Sequence, residues 1–323
     1  MYWKIKDDMK AAFGIDCGVC TPVEGGWLNK KWKVETAAGM LLVKQYSSKR
    51  FSITGLEAID RALGWQIELA ERGVKCPRLY RKDGHILRTP EDGVSYMVMD
   101  FCEGAIGSAE TITLTQLGSL GEACGKMKRE FAAHSPEGAR DYPIDGAAVI
   151  AGLREYHDKR VAQLSPAEPE AYRRILALQE PILASLTAEW LDGLAKSLTH
   201  EDFSPDNMLF DESGVTAILD FDRTRYGFVL HDVGRALLSL ALIDGVLDAA
   251  RIRAFAEGYR MYMPFGAREL ADALRIAWCV EAPWWIHPAM WREPKDKIAR
   301  FRDELCWLTE NFARIDEMVE EIL

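Results

Sequence analysis

The hydrophobic periodicity of this chain changes once, and that change constrains its fold more than any other feature. Up to about Gly104 the apolar residues alternate over short spans; beyond it they recur at helical spacing. VEGGWLNKKWKVET, then Ala-Ala-Gly, then MLLVKQY, predict strand, turn, strand, strand, with Gly25 and Gly26 permitting a tight first turn. One helix is expected from Ile53 to Arg72, stopped by Gly73 and by Pro77 beyond it. RLYRK and HILRT around Asp83-Gly84 predict a hairpin, and SYMVMDF a further strand. Helical patterns follow at Thr115 to Ala133, Val149 to Leu164, Pro169 to Leu186 and several times from Leu230 to the end. The simplest architecture is α+β: a small strand-rich lobe over residues 1–102 and a large helical lobe over 103–323. Ligands are expected where such lobes meet.

Composition removes several alternatives. With 40 basic and 50 acidic residues the formal charge is −10, and no dense Lys/Arg run is present to track a phosphate backbone, so nucleic acid is not an expected partner. The charged N-terminal stretch has no apolar core, and ALLSLALI, Ala236 to Ile243, is too short to cross a bilayer, so no membrane association is expected and a cytoplasmic location is. Seven cysteines, an odd number, predict reduced thiols; Cys17 and Cys20 form a CxxC without the second cluster a zinc site needs. Oligomeric state is not legible.

One stretch breaks the helical texture: LTHEDFSPDNMLFDESGVTAILDFD, Leu198 to Asp222. It places Asp202, Asn207 and Asp220 where a hairpin could gather them, although unpaired carboxylates repel. Asn207 to Phe210 and Val215 to Phe221 are expected as strands about the turn DESG. Pairing Phe210 with Val215 then makes Asp220 the diagonal neighbour of Asn207 on one face, roughly 7–8 Å away. An amide oxygen and a carboxylate so placed suit Mg²⁺; a solvated polar turn is the bland alternative. Asp202, on the loop before the hairpin, suits a different task, accepting or orienting the proton of a substrate hydroxyl.

HEDFSPDN, His200 to Asn207, resembles the H-x-D-x-x-x-x-N catalytic loop of protein kinases and of the aminoglycoside phosphotransferase and choline kinase superfamily, and ILDFD resembles the metal-binding strand end that follows it. The short interval between the two is similar to the small-molecule branch, and within it to the homoserine kinase type II and spore-coat kinase-like group. The resemblance runs from about Val23 to Leu240. It implies a protein-kinase-like fold with an antiparallel-sheet N-lobe and a helical C-lobe, and an ATP- and Mg²⁺-dependent transfer of the γ-phosphate to a small-molecule hydroxyl. By the same resemblance Asp202 is the catalytic aspartate and His200 braces its loop; Asn207 and Asp220 hold the metal, and Lys44 the nucleotide phosphates. EGGWLNKKW covers the phosphates, and main-chain groups of Met99, Asp100, Phe101 and Cys102 meet adenine. A non-catalytic coat or scaffold protein that kept the fold is the alternative.

The departures from the pattern are specific. Glu201 stands where glycine is usual, DFD replaces DFG, and Lys128 stands where relatives often carry histidine. The acid that pairs with Lys44 is open: Glu57 and Asp60 are candidates and Glu68 a weaker one, while Asp222 is read as a structural cap rather than a third metal ligand. Near the C-terminus, Glu281 among Trp278, Trp284, Trp285 and Trp291 is either core or an acceptor wall; as a wall it predicts an acceptor with an amine near its hydroxyl.

Overall fold

The computed structural model describes residues 3–23, 29–47, 52–90, 94–134, 144–292 and 296–323. Gly25 and Gly26 lie outside them. The chain divides into two compact units, residues 1–105 with 216–224 and residues 106–215 with 225–323. A single cut after residue 102 would have left 216–224 with the helices.

In the first unit, β1 (Cys20–Val23), β2 (Lys30–Thr36), β3 (Gly39–Gln45) and β4 (Tyr96–Asp100) form an antiparallel sheet in that order. The unbroken apolar run of β3 follows from its place: Leu41 to Lys44 are all buried, because both faces of the strand are covered. Leu41 and Val43 join Trp32, Val34 and Val98 on one face, under Ile5 and Met9 of α1 (Trp3–Phe13). Leu42, Met97 and Met99 join Ile59 and Leu63 of α2 (Ile53–Glu71) on the other. Ser52 caps α2 by accepting from Gly55 N at 3.1 Å, and Gly73 at φ +75° stops it. The sequence pattern had one helix here and missed α1, whose charges interrupt all but the Ile5/Met9 stripe. The expected hairpin at Asp83-Gly84 reduces to a tight turn, Lys82 to His85, plus single bridges to β4.

The second unit is helical. α3 (Leu114–His134), α4 (Gly146–Ala162), α5 (Glu170–Ser185) and α6 (Ala188–Gly193) precede a two-stranded ladder, Lys196–Thr199 with Arg225–Phe228. α7 (His231–Ala241), α8 (Ala249–Tyr259), α9 (Ala267–Trp285), the short α10 (Ala289–Arg292), α11 (Asp296–Asn311) and α12 (Ile315–Glu320) complete it. Glycine permits the closest crossings: a Cβ on Gly121 of α3 would lie 1.9 Å from Phe255 O of α8, and one on Gly234 of α7 2.1 Å from Ala273 O of α9. Every residue of α7 is buried, including His231, Asp232 and Arg235. Charges in such a helix require partners, and those partners shape the site.

Candidate active site

In the first unit the site is built on Lys44. Strand alternation sends it to the α2 side with Leu42, where it is 2% exposed. A lone buried ammonium is untenable, and Lys44 Nζ lies 2.7 Å from Asp220 Oδ1 and 2.6 Å from Asp222 Oδ2. Burial opposes its charge, but Asp222 and Asp220 outweigh that and raise its pKa. Asp222 is held by Tyr46, whose hydroxyl donates at 2.9 Å, and burial dominates over Lys44 to raise its carboxyl above the usual range. Asp222 therefore does more than cap the turn.

The lysine's acid partners thus come from the DFD segment and not from α2. Glu57 is exposed. Asp60 accepts from the N–H groups of Ile86 and Leu87 at 2.9 and 2.7 Å, and Glu68 pairs with Arg72. The strand expected over Val215 to Phe221 ends at Ile218, whose N–H turns to Lys75 O at 2.7 Å. Asp220 lies beyond it in the left-handed region, φ 63° and ψ 57°, at the entry to a 3₁₀ turn over Phe221–Arg223. A non-glycine residue there costs about 1–2 kcal/mol. Strand alternation places neither this carboxylate nor Asn207, which sits in a 3₁₀ turn over Pro205–Asn207. In the segment expected to meet adenine, Asp100 and Phe101 commit their N–H groups to Arg78 O and Met40 O at 2.9 and 3.1 Å.

In the second unit, the loop from His200 to Asn207 is tied from below. Asp232, fully buried on α7, accepts from the N–H groups of His200 and Glu201 at 2.8 and 3.0 Å and from the ammonium of Lys128 on α3. Burial disfavours its charge, yet Lys128 leads the groups that hold its pKa below the usual carboxylate value. His200 is buried, sets its ring edge-on to Phe203 and accepts from Asp202 N at 3.3 Å. Asn207 donates Nδ2 to Asp202 O at 2.9 Å, which fixes its amide with Oδ1 as the remaining group. The Asp202 carboxylate accepts no hydrogen bond among the described residues, so its lone pairs remain for a ligand proton. Lys128 and Asp232 were not legible as partners: they are 104 residues apart, and only the charges inside the apolar α7 pattern hinted at them.

The aromatic cluster splits. Trp278 is core, 1% exposed, with Nε1 donating to Thr309 at 2.9 Å. Trp284 is 72% exposed, and Trp285 packs on Phe301 with ring centroids 4.6 Å apart. Glu281 accepts from Trp285 Nε1 at 2.5 Å and from His231 Nε2 at 3.1 Å, so both its oxygens are engaged within the unit.

The first unit thus holds a buried lysine between two carboxylates at a left-handed turn, and the second an aspartate on a braced loop whose carboxylate accepts no hydrogen bond among the described residues. The family model of the phosphotransferase enzyme family (APH) matches residues 19–273, and the chain belongs to that family. It is 26% identical over 271 residues to a homoserine kinase of Xanthobacter autotrophicus, covering 82% of this chain and 78% of that one. Among solved structures it is similar to an amicoumacin kinase in complex with AMP-PNP and Ca²⁺, with a TM-score of 0.63 at 13% identity over 92% of this chain and 88% of that one. It is also similar to spectinomycin phosphotransferase in complex with ADP and spectinomycin, with a TM-score of 0.61 at 16% identity over 100% and 99% of the two chains. The fold is protein-kinase-like α+β, and the chain is a small-molecule kinase acting on a hydroxyl. Among the described residues no helix is long and apolar enough to cross a membrane.

Proposed function

We propose that this enzyme transfers the γ-phosphoryl group of ATP, with Mg²⁺, to the hydroxyl of a small amino-bearing acceptor. The observation that carries the proposal is the buried Lys44 locked between Asp220 and Asp222. A cation kept dry and charged on a rigid strand is prepared for phosphate oxygens, and a metal-binding acid is its usual neighbour. Asp220 is a carboxylate of the kind Mg²⁺ prefers, and Asn207, its amide held by Asp202 O, keeps an oriented Oδ1 of the same hard-oxygen chemistry. When bound, Mg²⁺ supplies charge neutralisation on the transferring phosphates. Asp202 accepts the acceptor's hydroxyl proton or aligns it for in-line attack, on a loop that Asp232, His200 and Asn207 keep in one conformation. Adenine takes its main-chain contact from Cys102, since Asp100 and Phe101 have spent their N–H groups.

For the acceptor, relatives named homoserine kinase direct attention to hydroxy amino acids, whose ammonium is the amine expected beside the hydroxyl. Glu281 is not left to meet that ammonium, because His231 and Trp285 hold it; its part is to set the Trp285 ring. The exposed face of Trp284 is the available aromatic surface. ADP release measured with ATP, Mg²⁺ and a panel of homoserine, other amino alcohols, aminoglycosides and neutral polyols tests the assignment. Acceptor-dependent release confined to amine-bearing hydroxyl compounds is expected. Release that favours neutral polyols removes the amine, and no acceptor-dependent release removes the kinase assignment.

A further inference from the structure

Glu201 stands where the family pattern has glycine, directly before Asp202, and its backbone takes the left-handed conformation, φ 65°, that glycine would hold without strain. A long charged side chain is the least expected occupant of such a position. The structure gives it a built compartment. Glu201 is 7% exposed at its side chain; Thr199 Oγ1 donates to its Oε1 at 2.7 Å, and Arg225 Nε donates to its Oε2 at 2.8 Å. The floor of the compartment is Gly227, where a Cβ would lie 2.6 Å from Glu201 Oε1, so the absence of a side chain at 227 makes room for the carboxylate.

Beyond it stands His231, the first residue of α7, 1% exposed. Its Nδ1 lies 3.6 Å from Glu201 Oε1, an ion-pair separation, and its Nε2 donates to Glu281 of α9 at 3.1 Å. Burial alone would neutralise the ring, but the two carboxylates outweigh it and push its pKa up to about 10. Burial likewise opposes the Glu201 charge, yet His231 and then Arg225 hold its carboxyl well below the usual range. Asp232 Oδ1, 4.0 Å from Nδ1, adds a third negative group to the same imidazolium. A carboxylate, an imidazolium and a second carboxylate therefore run in line from the catalytic loop through α7 to α9, ending at Trp285.

We infer that Glu201 is a positioning residue: it replaces the flexibility of glycine before Asp202 with an anchor to His231, and through Glu281 it fixes the Asp202 loop to α9. The inference rests on the phosphotransferase reading of Asp202 and goes beyond it, since that reading needs no side chain at 201. A merely structural Glu201 would change stability alone. A positioning Glu201 acts on turnover and on the order of the loop while leaving nucleotide binding untouched.

The test compares full-length wild type with E201G, which removes the anchor and relieves the positive φ, so that folding is retained. Two quantities are read in parallel: kcat and KM with ATP, Mg²⁺ and the acceptor, and amide hydrogen exchange over residues 199–207. E201G is expected to lose roughly 10–100-fold in kcat, the scale of a small misplacement of a reacting group, with KM for ATP within about twofold of wild type. Exchange at the loop amides quickens. H231Q in the E201G background adds little further loss, because the anchor is already gone, and E201Q, which keeps one acceptor oxygen for Thr199 or Arg225 but sets an amide donor in place of the other, lies between wild type and E201G. Wild-type kcat or wild-type loop exchange in E201G overturns the inference. Wild-type protein that turns over no acceptor defeats the kinase reading instead, and the exchange comparison then still decides the anchor.

Discussion

Replacing Lys44 with methionine, close in length and without charge, isolates the electrostatic core of the first unit. The substitution leaves Asp220 and Asp222 facing each other without their cation. Removing one partner of a buried pair costs about 3–5 kcal/mol. Asp222 is 13% exposed and Asp220 29%, so water can rehydrate the latter, and the lower end, about 3 kcal/mol, applies. At roughly 2–4 °C per kcal/mol that is a fall in Tm of about 6–12 °C near neutral pH. The loss depends on pH in a defined direction. The folded-state pKa of Asp222 is already raised, so its favourable contribution is complete below the unfolded value of about 3.9 and is lost as pH rises through the folded value. Without Lys44 that folded value rises further, and the gap in Tm between wild type and K44M therefore opens as pH increases from about 4 towards neutrality. Thermal denaturation across that range measures it, and D222N in the K44M background should recover several degrees by removing one of the two facing carboxylate charges. A K44M protein as stable as wild type at neutral pH, or a gap independent of pH, refutes the reasoning.

Three further expectations follow from the same geometry. Asp202→Asn, isosteric and on a loop whose bonds come from other groups, should lose about 10²–10⁴-fold in kcat while calorimetry finds nucleotide affinity unchanged. Asp220→Ala should weaken binding of Mg²⁺-ATP much more than that of metal-free ATP, and equal weakening would contradict its role as a metal ligand. Trp278→Ala should cost about 3–5 kcal/mol and Trp284→Ala within about 0.5 kcal/mol by chemical denaturation, because one indole is core and the other is 72% exposed.

The sequence carried the parts of this site that depend on local spacing. Asp202 and Asn207 are five residues apart in one loop, Asp220 follows after a short turn, and Lys44 sits in an apolar strand whose burial its neighbours announce. What it did not carry depends on long-range contact. Acids at helical spacing on α2 suggest partners for Lys44, but Asp60 is consumed by the N–H groups of residues 86 and 87. Strand alternation, carried into Asp220, fails at a left-handed residue that nothing in ILDFD signals. Glu201 stands out in the sequence only as a departure from the usual glycine, and its accommodation depends on Gly227, Arg225 and His231 converging on it from 24 to 30 residues downstream. Trp278, Trp284 and Trp285 lie close together on α9 and received different environments, a distinction set by which side of the helix each one occupies.

The most direct test of the account is ³¹P NMR of the products formed from ATP, Mg²⁺ and homoserine by the wild-type enzyme, with the D202N protein in parallel. The account predicts a phosphomonoester resonance coupled to the acceptor's carbinol protons that grows in step with ADP and is nearly absent with D202N. Inorganic phosphate as the only new phosphorus species besides ADP across homoserine and the other hydroxyl acceptors, or a phosphomonoester formed equally by D202N, would contradict it.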